Sequence, residues 1–173
     1  MFIEVNILNK TENNTEGVGI KRRMNMKKIA LLAMSVCSLT MTSSMAGDCS
    51  KAQAKETVDK MCAIVTAKGK AGLGEIAKYR YCGSNYVWIQ DKEIKMVLHP
   101  IKRRLKGKDL TKNEDENGKK LFVAFEKTAR GTSGGWVDYV WAKPGAEKAT
   151  PKISYVKVCD GGLGWIVGSG IWK

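Results

Sequence analysis

Four cysteines, at positions 49, 62, 82 and 159, constrain this chain more than any other feature. In an oxidising compartment an even number of cysteines reads as disulfides; in a reducing one they stay thiols. None stands at Cys-x-x-Cys spacing, so neither a redox motif nor a zinc site is indicated, and no metal is expected. The compartment is suggested just upstream. In residues 26–46, Lys27 and Lys28 precede a mostly apolar run from Ile29 to Met41, and Ser44-Met45-Ala46 closes the stretch. That is the tripartite order of a secretory signal, with cleavage expected after Ala46. The run is too short and too rich in Ser and Thr for a membrane span, which needs about 20 residues. The fifth cysteine, Cys37, lies within this stretch and lacks the small residue expected before a lipid-modified cysteine. Residues 1–25 are polar, lack a hydrophobic period and are expected to be an over-extended start, with Met26 or Met24 as initiator. The expected organisation is a leader at 1–25, a signal peptide at 26–46 and one domain at 47–173, periplasmic or secreted.

Helix geometry narrows the cysteine pairing. Ser50 to Gln53 is a capping box, after which Ala54, Val58, Met61, Cys62 and Val65 recur at helical spacing. A helix over 51–67 would hold Cys49 and Cys62 about 20 Å apart along its axis. A disulfide needs Cα atoms within about 7 Å. Two pairings remain: Cys62–Cys82 with Cys49–Cys159, the one first expected, or Cys49–Cys82 with Cys62–Cys159.

The rest of the domain reads as two strands, a helical insert and three strands. The first helix ends in the glycine-rich 69–74 stretch, and a short helical turn follows over Glu75–Tyr79. Tyr86–Gln90 is aromatic and β-branched, as a strand should be. A tight turn at Asp91-Lys92-Glu93 leads into a second strand, Ile94–Leu98, stopped by His99-Pro100. Residues 101–118 are polar and basic. Lys119–Arg130 then carries Leu121, Phe122, Phe125 and Ala129 on one helical face. Strands are predicted at Trp136–Trp141, Ile153–Val158 and Trp165–Ile171. The fold class is therefore α+β, with a long N-terminal helix packed on a five-stranded antiparallel sheet and a helical crossover between strands two and three, a PAS-like arrangement.

Six stretches resemble, in order, the signature blocks of single Cache domains, the extracytoplasmic sensors of bacterial chemoreceptors and sensor kinases. They are residues 81–88, 96–102, 105–110, 135–145, 151–157 and 164–171, and the resemblance runs from about Met61 to Trp172. It implies a sheet whose concave face and covering loops enclose a small ligand, commonly a short carboxylate of two to four carbons. Receptors of the family continue past the last strand into a membrane helix and a signalling module, whereas this sequence stops at Lys173. A free-standing exported form is expected, acting in signal transduction or chemotaxis through a separate membrane sensor.

Strand parity puts Ile153, Tyr155 and Lys157 on one face and Ser154, Val156 and Val158 on the other. A lysine on a covered face needs a counter-charge, so Lys157 is expected either to meet a ligand carboxylate or to reach water by its stem. His99, at the end of strand two where the crossover begins, is expected beside it. Tyr86, Trp88, Tyr139, Trp141 and Tyr155 divide between core and pocket wall. Lys143, in the turn after strand three, and Arg80, before strand one, are further anion-binding candidates, and Asp138 a hydrogen-bond acceptor.

Catalysis is not expected. His99 is the sole histidine, no Gly-x-Ser-x-Gly stretch accompanies it, and the Gly161–Gly164 run precedes a strand where a phosphate loop would precede a helix. No cofactor is indicated. The 173-residue chain has a net charge of +13; without the first 46 residues, 24 basic face 14 acidic residues, or +10 over 127. The densest run is Lys102 to Lys108, with five basic residues in seven. It supports an alternative reading as a cationic cell-surface or polyanion binder. Export argues against nucleic acid as the partner, and no RNA-binding aromatic motif accompanies the run.

Overall fold

A computed structural model of the chain describes residues 49–131 and 134–173. The expected leader, signal peptide and cleavage site lie outside the described residues. Among the described residues, no helix is long and apolar enough to cross a membrane.

Helix α1, Lys51–Lys68, starts at the expected box: the Ser50 side chain accepts from the Gln53 N–H, and the Gln53 side chain accepts from the Ser50 N–H. It buries Ala54, Thr57, Val58, Met61, Cys62 and Val65, one stripe at three- and four-residue steps. A single 3-10 turn over Gly69–Gly72 leads into α2, Leu73–Lys78. The strands are β1 Val87–Gln90, β2 Met96–Leu98, β3 Gly135–Ala142, β4 Ala149–Val158 and β5 Ile166–Trp172. They form one antiparallel sheet in the order β2-β1-β5-β4-β3. The connection from β2 to β3 therefore spans from one edge of the sheet to the other. It carries a 3-10 turn, Arg103–Leu105, and helix α3, Leu121–Ala129.

Two clusters cover the two faces of the sheet. On one side, Val58, Met61 and Val65 of α1 pack against Val87, Ile89, Tyr155 and Val167. On the other, Leu121, Phe122, Phe125 and Ala129 of α3 pack against Trp88, Val137, Tyr139, Val156 and Ile166. Two hydrogen bonds anchor the second layer. The Gln90 amide donates to the Phe122 carbonyl at 3.0 Å, and Asp115, in the loop before α3, accepts from the Val140 N–H at 3.1 Å.

Two strand starts differ from expectation by two residues or more. Strand β2 begins at Met96 and not at Ile94, because Ile94 adopts a left-handed φ of 61° in a turn closed by the Lys95 N–H donating to the Asp91 carboxylate. Strand β4 begins four residues before Ile153, running through Pro151. The proline is tolerated because β5 ends opposite Lys152, so at Pro151 the only strand alongside is β3. The polar 101–118 stretch also contributes to the core. Leu105 and Leu110 are buried, and residues 107–110 exchange backbone hydrogen bonds with Ile94 and Met96, covering the β2 edge.

The disulfides are Cys49–Cys82 and Cys62–Cys159, with Cα–Cα distances of 5.6 and 5.1 Å. This is the second of the two pairings left open by the sequence, and it corrects the one first expected. Cys62 lies on the buried stripe of α1 and faces the end of β4, where Cys159 follows Val158. Cys49, before the helix cap, meets the turn that leads into β1.

Candidate functional site

The face of the sheet under α3 gathers aromatic side chains from every direction. Tyr86 precedes β1 and Trp88 lies on it, Tyr139 and Trp141 come from β3, and Trp172 from the end of β5. Gly168 makes room for Trp88: a Cβ there would sit 2.2 Å from the indole ring. His99 enters from the start of the crossover, and α3 supplies Leu121, Phe122 and Phe125. Tyr86, Trp88, His99, Tyr139, Trp141 and these three close around a cavity of about 10 Å³, room for a single water-sized sphere. Tyr139 also lines a hollow of about 340 Å³ on the β3 side, shared with Asp115, Lys119 and Lys152.

The polar groups in this cage are arranged to donate. The His99 Nδ1 accepts the Lys102 backbone N–H at 3.0 Å, so in the neutral ring the proton sits on Nε2, which lies 3.5 Å from the Tyr86 hydroxyl. Burial, joined by the charges of Lys152 and Lys102, lowers the His99 pKa to about 3, so the ring is neutral at physiological pH. The Trp141 Nε1–H donates to the Tyr86 oxygen at 3.0 Å. With its oxygen accepting, Tyr86 keeps its own proton to give away, and burial raises its pKa, so that proton is retained. The Tyr86 backbone is held in turn, its carbonyl accepting from Ser169 at 2.7 Å. The Tyr139 hydroxyl pairs with the Ser154 hydroxyl at 2.9 Å.

Lys152 is the charged group of the cage. It is 1% exposed. Its amine lies 3.8 Å from the centre of the Trp172 ring and 4.5 Å from that of Tyr86. Among the described residues no carboxylate lies within ion-pair distance of it. Ring faces compensate a buried ammonium only in part. Burial, with Lys102 adding to it, lowers the Lys152 pKa to about 7. The site is thus a set of donors and a buried, uncompensated amine beside an apolar recess, which suits a small anion with an apolar end. No cluster of three or more His, Cys, Asp or Glu among the described residues could hold a metal ion.

Comparison with known proteins identifies the family. Residues 20–172 match the family described as Single Cache domain 2. The chain belongs to the single Cache domain family. This Cache domain is 31% identical to the methyl-accepting chemotaxis protein McpP of Pseudomonas putida, over 92% of this chain and 32% of that protein. The chain thus spans about a third of the length of that relative. Among solved structures, the periplasmic sensor domain of a chemotaxis protein is 38% identical with a TM-score of 0.60, over 69% of this chain and 88% of that one. A Cache chemosensory domain solved to explain carboxylic acid recognition is 30% identical with a TM-score of 0.66, over 70% and 91%. The chain is a ligand-binding sensor domain of the kind found in chemotaxis receptors.

Within the Cache domain, five expected site residues meet at the cavity: Tyr86, Trp88, His99, Tyr139 and Trp141. Four do not. Lys157 projects from the opposite face of the sheet, its amine 2.8 Å from Asp59 of α1. Burial works to raise the Asp59 pKa, yet hydrogen bonds from Lys157 and Lys55 hold it below its usual value. Tyr155 shares that face and packs edge-on to Trp136. Lys143 is exposed in the turn after β3. Arg80 is exposed and donates to the carbonyls of Ala77 and Tyr79. Asp138 is exposed and pairs with Lys173 at 2.6 Å. Sequence reasoning missed the α3 side chains that line the cavity, and Lys152 and Trp172, which lie against Tyr86 beside it. The signal for Lys152 was available, since it shares the parity of Ser154 and Val156.

The basic run divides. Arg103, Arg104, Lys106 and Lys108 are exposed, Leu105 is buried, and Lys102 turns inward with its amine 3.8 Å from the centre of the Trp141 ring.

Proposed function

We propose that this Cache domain binds a short organic acid of two to four carbons. Its carboxylate would be received by Lys152, Tyr86 and His99, and its apolar end by Trp88, Phe122 and Phe125. The observation that carries this reading is Lys152, a buried amine without a carboxylate partner, beside a phenol whose oxygen already accepts a hydrogen bond. A ligand carboxylate supplies the missing charge and accepts from both donors. The relative solved for carboxylic acid recognition supports the same chemistry.

The cavity holds only a water-sized sphere as it stands, so binding would enlarge it, and the side chains of the crossover are the parts that would yield. The reading is of binding without catalysis. Export through the 26–46 segment completes the proposal, in keeping with the periplasmic sensor domain among the relatives. Nucleic acid is not among the expected partners.

A thermal-shift screen tests the reading. Acetate, propionate, pyruvate, lactate and butyrate are compared with amino acids and amines. Stabilisation by at least one of the acids, and by none of the amines, is expected. No shift with any acid contradicts the proposal.

A further inference from the structure

The cage has two amines where a simple carboxylate needs one. Lys152 rests on Trp172 and Lys102 on Trp141, each 3.8 Å from the ring centre. The two indoles are themselves joined, the Trp172 Nε1–H donating to the Trp141 carbonyl at 2.9 Å. Both lysine charges bear on His99, and that of Lys102 also disfavours the ammonium of Lys152. Among the described residues no carboxylate pairs with either.

The inward direction of Lys102 is set by the backbone. Its N–H is held by the His99 Nδ1, and the next three residues form a 3-10 turn pinned by the buried Leu105. That turn sends Arg103 and Arg104 to solvent, so Lys102 alone of the basic run faces the site. It is half-buried, so its stem is free to swing from the Trp141 ring onto a ligand.

We propose that the site takes a short dicarboxylate, with Lys102 as the specificity-determining contact for the second carboxylate. This rests on the reading above that Lys152 receives the first. A monocarboxylate compensates one amine and leaves the other without a counter-charge; a second carboxylate compensates both.

Calorimetric titration of the whole domain at pH 7 with succinate and with butyrate, equal in carbon number, tests this. The wild type is expected to bind succinate at least tenfold more tightly. Lys102→Met, which keeps the stem and removes the charge, is expected to bring the ratio to about one, and Lys102→Arg to keep it above threefold. Butyrate binding equal to or tighter than succinate in the wild type overturns the dicarboxylate assignment and leaves the monocarboxylate reading standing. An unchanged ratio in Lys102→Met overturns the role of Lys102. If neither acid binds the wild type, the dicarboxylate assignment falls, while the monocarboxylate reading stands or falls separately with the response to acetate, propionate, pyruvate and lactate.

Discussion

Lys152 and Lys157 lie five residues apart on β4 and face opposite sides of the sheet. The amine of Lys157 is 2.8 Å from a carboxylate on α1, while that of Lys152 lies between the rings of Tyr86 and Trp172. An odd separation in a strand dictates this division, because successive side chains alternate. One lysine is satisfied within the fold and the other is not, and that difference is what makes Lys152 the candidate for an external anion.

Replacing Lys152 by Met keeps the buried stem and removes the uncompensated charge. The variant is expected to be more stable than the wild type without ligand, by on the order of 1–3 kcal/mol. It is also expected to lose stabilisation by carboxylates. Denaturant unfolding with and without propionate checks both. Loss of stability with retained ligand response contradicts the assignment.

The pH dependence has two opposite signs. The Lys152 pKa falls from an ordinary 10.5 to about 7 on folding, so between pH 7 and 10.5 the unfolded chain binds the additional proton. This residue therefore makes the ligand-free protein more stable as pH rises through that window. Carboxylate binding favours the ammonium and so takes up a proton above pH 7. Affinity is expected to fall by up to about tenfold per unit from pH 7 toward pH 9. Calorimetry in buffers of different ionisation enthalpy measures that uptake directly; a flat affinity across the range contradicts it.

Lys157→Met and Asp59→Asn each break the ion pair between β4 and α1. Because both groups are about one-third exposed, the cost is expected to be small, about 0.2–1 kcal/mol. Carboxylate-induced thermal shifts are expected to be retained. Loss of binding in either variant would return Lys157 to the site.

The two disulfides close loops of different length, with sequence separations of 97 for Cys62–Cys159 and 33 for Cys49–Cys82. Chain entropy gives the longer loop about 1 kcal/mol more stabilisation. Cys62→Ala with Cys159→Ala is therefore expected to lower the unfolding midpoint further than Cys49→Ala with Cys82→Ala. Equal losses would contradict the entropic account.

Elements with a strong period were legible from sequence: the α1 stripe, its capping box and the α3 face of Leu121, Phe122, Phe125 and Ala129 all stand as predicted. What sequence left open was which partner each face meets. Parity on β4 divides Lys152 from Lys157, but only the positions of α1 and α3 decide which side holds the cage. The cysteine pairing was undetermined for the same reason, because it depends on which end of β4 lies under Cys62. Ile94 hid its left-handed turn, since a β-branched residue is a poor sign of one. Lys152 shares the parity of Ser154 and Val156, but it lies beside a proline and one residue before the expected strand start at Ile153, so that parity was not extended to it.

A crystal structure of the domain grown with a saturating carboxylate tests the central claim most directly. A carboxylate oxygen is expected within about 3 Å of the Lys152 amine and of the Tyr86 hydroxyl, with the apolar end of the ligand toward Trp88 and Phe125. A carboxylate seated elsewhere, with the Lys152 amine still resting on Tyr86 and Trp172, would contradict it.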